Sequence, residues 1–359
     1  MKSTDLDDLQ VNIDEILQEY DNETNSVSLS LKLNISLDGN NVSKNISISP
    51  SKKDKENSIV SLEHVTKDYG LKRGIFDVSF DVKEGECFGL VGENGAGKTT
   101  TLRHIMGFIK PKKGKITVAG YDAFKQAESI KSFVGYCPGE INFPPLKDGS
   151  KLIDAKMQLL KEDYSNAANE LIKEFQFNIM SNPKRMSKGM KQKMALVLAL
   201  MHNPKLLILD EPTTGLDPLM QDEIRNKILD IKSQKKTIIM SSNLYDELDL
   251  LCDRVALISQ GHIIAIADNN AIKNREEVDY KIEFINRDDY LHFKEENRFE
   301  IIRDQEKYSQ VTVEIKKADI SALFGLLKDI DIKFISQIPY TLETYFNKVL
   351  KEKEKKDEQ

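Results

Sequence analysis

A short apolar run, Cys87-Phe88-Gly89-Leu90-Val91, leads directly into Gly92-Glu93-Asn94-Gly95-Ala96-Gly97-Lys98-Thr99-Thr100. The run reads as a buried strand, and the segment after it fits the phosphate-binding loop pattern G-x-x-x-x-G-K-[ST]. The chemistry of phosphate binding explains each residue type. Gly92, Gly95 and Gly97 let the backbone bend tightly and turn its N–H groups toward phosphate oxygens. A helix starting near Lys98 adds the positive end of its dipole. Lys98 offers a cation to the β- and γ-phosphates, and the Thr99 hydroxyl is a ligand for Mg²⁺. Gly107 and Pro111 stop the helix after about three turns, so strand, loop and helix occur in the order such a loop needs. The whole stretch, with Glu93, Asn94, Ala96 and Thr100, is the expected nucleotide cradle.

A second piece lies downstream. Leu206-Leu207-Ile208-Leu209 is another buried-strand run, and it ends in Asp210-Glu211. A carboxylate at the end of such a strand can hold the magnesium shell, the role expected of Asp210. The carboxylate beside it can orient and deprotonate an attacking water, the role expected of Glu211.

Bulk properties bound the rest. Hydrophobic residues make up 40% and charged residues 31% of the 359 residues, which suits a globular chain with a core. The formal net charge is −6, with Lys and Arg spread along the chain. Nucleic-acid binding needs a clustered basic surface, so DNA and RNA are not expected partners. Cys87, Cys137 and Cys252 share no metal or redox spacing and read as reduced, buried, cytosolic thiols. The acidic start MKSTDLDDLQ lacks the features of a signal peptide, and no apolar run approaches the ~20 residues that span a bilayer.

Residues 1–57 read as an N-terminal extension. Leu6–Tyr20 has apolar residues near helical spacing and is expected to form a short helix. Val27, Leu29, Leu31, Leu33, Ile35 and Leu37 then alternate with polar residues, Asp38-Gly39 is a turn signal, and Val42, Ile46 and Ile48 follow. Two readings fit this stretch: a β-hairpin, or a poorly ordered Ser/Asn-rich arm. Pro50–Asn57 is a linker by composition. Residues 58–274 alternate apolar strands with helical stretches, the pattern of a parallel sheet covered by helices. Residues 275–351 mix strands, such as Val311 to Ile315, with helices over Ile320–Leu327 and Leu342–Leu350, capped by Asp319 and Thr341. Residues 352–359 read as a charged, solvated tail.

With the phosphate loop and the carboxylate-bearing strand in place, the region from about Ser58 to Asn270 resembles the ATP-binding domains of ABC transporters. That resemblance implies an α/β fold, a P-loop NTPase with a parallel-sheet core and a helical subdomain, flanked here by the N-terminal extension and a small α+β C-terminal region. Tyr69, in Thr66-Lys67-Asp68-Tyr69-Gly70, stands where the family places an aromatic that stacks on adenine. Met186-Ser187-Lys188-Gly189-Met190-Lys191-Gln192 is similar to the family's signature loop, in which Ser187 and Gly189 would meet the γ-phosphate bound to a second copy. Lys188 and Met190 depart from that loop's usual glycine and glutamine. Thr214-Gly215-Leu216-Asp217 matches the segment that communicates across the dimer.

Two further departures concern turnover. The family's glutamine after the Phe133-to-Tyr136 strand, a Mg²⁺ ligand and permease sensor, is replaced by Cys137-Pro138-Gly139-Glu140. Gly139 has no side chain to offer, and Glu140 substitutes only if the loop shifts by one residue. The family's switch histidine is replaced by Asn243, which can donate a hydrogen bond but cannot titrate.

The resemblance implies an ATPase using ATP and Mg²⁺. It would act as a homodimer at the inner face of the cell membrane, where it powers a separate integral membrane permease. The variant signature and the C-terminal region look most similar to single-domain exporter ATPases of the antibiotic and bacteriocin export and immunity type. Two other readings stay open. One is an ATP-sensing module with little hydrolysis, motivated by Gly139 and Asn243. The other is a non-transport ABC ATPase, which the single phosphate loop and acidic balance disfavour.

Overall fold

The computed structural model describes the backbone of residues 10–21, 26–37, 40–48, 58–296 and 298–357, and side chains from 58 to 353 except 297. The chain divides into two compact units, Met1–Ser58 and Ile59–Gln359. The first contains an antiparallel sheet of β1 (Gln10–Asp21), β2 (Ser26–Leu37) and β3 (Asn40–Ile48), in that order. Leu37 stands opposite Asn40; the Asp38-Gly39 turn and the Pro50–Asn57 linker lie outside the described residues.

The helix expected over Leu6–Tyr20 is not formed: from Gln10 onward the backbone is strand β1, and residues 6–9 lie outside the described residues. The register explains why the spacing misled. Val11 pairs with Ile35 and Ile13 with Leu33, then a one-residue irregularity falls between Ile13 and Glu15, after which Ile16 pairs with Leu31 and Tyr20 with Val27. One inserted residue turns a strand's period of two into a spacing that mimics a helix.

The second unit begins with β4 (Ser58–Gly70), β5 (Arg73–Lys83), β6 (Cys87–Val91), α1 (Lys98–Ile105), β7 (Lys113–Val118) and β8 (Tyr121–Asp122). Next come α2 (Ala127–Lys131), β9 (Val134–Cys137) and a helical stretch of α3 (Ser150–Leu160), α4 (Ser165–Phe175) and α5 (Lys188–Leu200). The chain then returns through β10 (Leu206–Asp210), α6 (Pro218–Ser233), β11 (Thr237–Ser242), α7 (Tyr245–Leu251), β12 (Arg254–Ser259), β13 (His262–Asp268) and α8 (Asn269–Lys273).

The central sheet has the order β13-β12-β6-β11-β10-β9, parallel throughout except for the edge strand β13. Every residue of β6, β10 and β11 is buried, as expected of parallel strands covered on both faces. Alternate side chains feed two separate cores. Leu207, Leu209, Ile238 and Met240 pack with Met194, Val197, Ile224 and Leu248 from the helices. Phe88, Leu90, Ile208 and Ile239 pack with Leu102 and Ile105 of α1 and with Val60 and Ile75 of a second sheet, ordered β5-β4-β7-β8.

The C-terminal part adds β14 (Glu277–Phe284), α9 (Arg287–Glu295), β15 (Glu300–Gln305), β16 (Gln310–Lys316), α10 (Ile320–Leu326) and β17 (Ile332–Ile338). Its antiparallel order β15-β16-β14-β17 is a split β-α-β-β-α-β arrangement with its own core around Ile282, Val313 and Leu323.

Helix α11 (Leu342–Asp357) closes the chain. Thr341 caps it, its Oγ1 accepting from Thr344 N at 3.3 Å, whereas Asp319 makes no side-chain cap bond to α10. The backbone expected to be a tail from residue 352 stays helical to Asp357, because alternating Lys and Glu favour a helix once an apolar first turn anchors it. Leu342 and Phe346 of that anchor are fully buried in the core on the helical face of the central sheet, beside Leu248 and Leu251. Among the described residues, no helix is long and apolar enough to cross a membrane.

Candidate active site

The order β6-β11-β10 brings the C-terminal ends of three buried strands side by side, the usual location for ligands in open α/β sheets. After β6 the chain bends through Gly92 to Gly97. Gly97 has φ +116°, and a Cβ there would press on Ile75 and Ile258 at 3.0 and 3.1 Å. A Cβ at Gly92 would collide with the Ile258 carbonyl, so the loop seats directly on β12. Gly95, at φ +84°, faces open space. The first intrahelical bond of α1 runs from Thr101 N to Gly97 O at 2.9 Å, which leaves earlier N–H groups at the helix start aimed at the loop's hollow.

Lys98 is 4% exposed; its ammonium donates to Gly92 O at 2.7 Å and Glu93 O at 3.2 Å, and pairs with Glu211 Oε1 at 3.2 Å. Thr99 Oγ1 donates to Asp210 Oδ1 at 3.1 Å. The sequence therefore identified four side chains, from two segments over a hundred residues apart, that the fold brings into direct contact. Glu211 sits at φ +47°, a conformation costly for a non-glycine residue and held here by its amide bonding to the carbonyl and hydroxyl of Ser241, each at 3.1 Å.

The Thr99 hydroxyl and the Asp210 carboxylate form a pair of hard oxygens suited to a small hard cation. Among the described residues no cluster of three or more His, Cys, Asp or Glu could hold a metal. Mg²⁺ is commonly held by one or two carboxylates together with substrate phosphates, a mode the Thr99–Asp210 pair could serve.

The other expected residues fall around this center. Tyr69 is about half exposed, with Lys67 Nζ 5.7 Å above its ring. A Cβ at Gly74 would collide with the Lys67 carbonyl, and one at Gly97 would lie 3.3 Å from Gly74 O, so the Tyr69 turn borders the phosphate loop. Ser187 caps α5, its Oγ accepting from Met190 N at 3.2 Å. A Cβ on Gly189 would lie 2.9 Å from Met220 Cε, so the start of α5 packs closely against the flexible end of a side chain from α6. The Lys188 ammonium covers Gly215, where an added Cβ would clash with it.

Gly139 is the residue that abuts Asp210: a Cβ there would be 3.1 Å from its carbonyl oxygen and 3.6 Å from its carboxyl carbon. Glu140 is exposed. Cys137 is buried, and burial, with the Asp210 charge second, pushes its thiol up to about 12. It therefore brings no thiolate to the site. Asn243 is exposed just beyond β11.

Sequence reasoning missed Ser241, whose Oγ donates to Asp210 Oδ1 at 2.7 Å, and the buried set Thr213, Ser242 and Glu247. The one available signal was a pair of serines at the end of a buried strand.

Comparison with known proteins agrees with this geometry. The profile of the ABC transporter family matches residues 75–214. The linearmycin resistance ATP-binding protein LnrL of Bacillus subtilis (strain 168) is 36% identical over 222 residues, covering 60% of this chain and 71% of LnrL. The bacitracin transport ATP-binding protein BcrA of Bacillus licheniformis is 31% identical over 306 residues, covering 82% of this chain and 97% of BcrA. A solved ATP-binding subunit of an ABC transporter superposes with a TM-score of 0.56 at 27% identity, covering 61% of this chain and 93% of that one. Likeness that runs along nearly the whole of a relative, well beyond the phosphate loop, means that the chain belongs to the ATP-binding, ATP-hydrolysing subunits of ABC transporters.

Proposed function

We propose that this ATPase works as a head-to-tail homodimer with Mg²⁺ and drives an export permease at the inner face of the cell membrane. The observation that carries the reading is the convergence of Lys98, Thr99, Asp210 and Glu211 at one end of the parallel sheet. In that reading Lys98 exchanges its present partners for β- and γ-phosphate oxygens, which frees Glu211 to accept a proton from the attacking water. Thr99 and Asp210, the latter fixed by Ser241, hold the metal shell. Bound Mg²⁺ would neutralise charge developing on the phosphate oxygens. Gly92 to Thr100 cradle the phosphates and Tyr69 stacks on the base. Ser187 and Gly189, on the exposed start of α5, meet the γ-phosphate held by the partner copy, and Asn243 donates to it through its amide.

Export is supported by the relatives, one named for linearmycin resistance and another for bacitracin transport. An antibiotic is the substrate class this points to. The test is Mg²⁺-ATP turnover of the full chain. Glu211→Gln is expected to lower turnover about 10²- to 10⁴-fold while sparing ATP binding; wild-type turnover in that variant would remove Glu211 from its role. A sensing module is favoured by one observation, the absence of an ionisable side chain at Gly139 and Asn243. It would be supported by ATP binding without turnover even in the presence of the permease.

A further inference from the structure

Ser241 and Ser242 are adjacent on β11 and send their hydroxyls to different carboxylates. Ser241 Oγ donates to Asp210, whereas Ser242 Oγ donates to Glu247 Oε2 at 2.6 Å. The other oxygen of Glu247, Oε1, accepts from Thr213 Oγ1 at 2.6 Å. Glu247 is 2% exposed, Thr213 0% and Ser242 1%. A carboxylate in such a place is expensive unless both oxygens are bonded, and each here has a hydroxyl donor. An aliphatic side chain would fill the same space without needing those partners, so the core alone does not call for this group.

The partners of Glu247 show what it ties together. Thr213 lies two residues beyond Glu211, in a turn closed by Thr214 N bonding to Glu211 O at 3.2 Å. The Ser242 hydroxyl also accepts from Leu244 N at 3.0 Å, so one side chain brackets Asn243. Glu247 itself lies on α7, the helix that follows Asn243, and its neighbours Leu248 and Leu251 are sealed by Phe346 of α11.

We propose that Glu247 is a positioning residue for ATP hydrolysis: through Thr213 and Ser242 its buried carboxylate holds the Glu211 turn and the Asn243 segment in one fixed relation. This rests on the roles assigned above to Glu211 and Asn243. The strained backbone of Glu211 makes such support necessary, because a residue at φ +47° relaxes once its surroundings loosen.

The test uses the full chain as wild type, Glu247→Ala, Glu247→Gln, Thr213→Val, the Glu247→Ala/Thr213→Val double variant and Glu211→Gln. Affinity for a fluorescent ATP analogue and kcat per nucleotide-binding site are measured for each. In Glu247→Ala, affinity stays within about threefold of wild type and kcat per site falls about 10- to 100-fold, the loss expected from misplacing a reacting group. Glu247→Gln keeps one acceptor and gains a donor, and recovers most of the rate. The double variant is no slower than Glu247→Ala alone, because both changes break the same tie.

A purely structural role would lower the fraction of binding-competent molecules and leave kcat per site unchanged; that result overturns the proposal. If Glu247→Ala does not fold, Thr213→Val and Glu247→Gln carry the same comparison. Loss of turnover in Glu211→Gln with wild-type kcat in every Glu247 and Thr213 variant sinks this inference alone. Wild-type turnover in Glu211→Gln sinks the reading beneath it.

Discussion

The two walls of the proposed nucleotide site are built on different terms. On the phosphate-loop wall Lys98 is nearly inaccessible and held by two carbonyls and a carboxylate, Gly92 is seated against the Ile258 carbonyl, and Gly97 is held at φ +116° against Ile75 and Ile258. On the opposite wall stand Gly139, which presents nothing to Asp210 beyond its backbone, and the exposed Asn243. The first wall depends on close packing and tolerates almost no change. The second presents no ionisable side chain at positions 139 and 243. Grip on the nucleotide and timing of its hydrolysis are therefore separable properties of this site, and substitutions on either wall should separate them.

The largest effect is expected on the first wall. Lys98→Ala removes the phosphate-facing cation and leaves Glu211 without its partner. Losing the protein's side of a desolvated, hydrogen-bonded charge pair with the phosphates costs about 2–5 kcal/mol, so ATP affinity should fall about 30-fold or more. Equilibrium titration with a fluorescent ATP analogue checks this. Affinity within a few-fold of wild type would mean that the backbone of the loop, without the ammonium, accounts for the grip.

Asn243→His probes the second wall and should leave affinity near neutral pH within about threefold. Its signature is pH dependence. Neutral imidazole donates one hydrogen bond, like the amide, but imidazolium adds a positive charge opposite the γ-phosphate. The charged form is populated below the ordinary histidine pKa of about 6.5, so ATP affinity of the variant should rise relative to wild type as pH falls through that value. Parallel titrations at several pH values decide it. Identical pH profiles for the two proteins would place residue 243 away from the phosphate and weaken the contrast between the walls.

Legibility in the sequence divides along the same line. The strands β6, β10 and β11 were readable because burial on both faces demands unbroken apolar runs, and the loop after β6 because phosphate contact demands glycines. What was unreadable depends on tertiary neighbours. Thr213 and Glu247 are 34 residues apart and share a hydrogen bond only because α7 folds back beneath β11. Gly189 looked like a phosphate contact, and it also packs closely against Met220 on another helix. The strand β1 was hidden by one irregular residue, and the anchoring of α11 by the fact that Phe346 packs against Tyr245, their rings 6.2 Å apart, far outside any local pattern.

The smallest effect, and the sharpest test of the second wall, belongs to Gly139→Gln. A Cβ at this position meets Asp210 O at 3.1 Å, tight enough that the backbone must give by a few tenths of an ångström, yet φ here is not in the left-handed region. The glutamine therefore fits with modest strain and brings an amide oxygen toward the Thr99–Asp210 pair. An added neutral oxygen ligand should strengthen Mg²⁺ dependence without creating charge, so the Mg²⁺ concentration for half-maximal nucleotide binding should fall about two- to fivefold, with kcat changed by less. Because Asp210 is already fixed by Ser241 and Thr99, the extra ligand has little left to organise. A large gain in turnover would show that the glycine limits catalysis and that the two walls are coupled. A loss of metal affinity would show that the close approach of Gly139 to the Asp210 carbonyl is itself required, which would make the second wall as dependent on packing as the first.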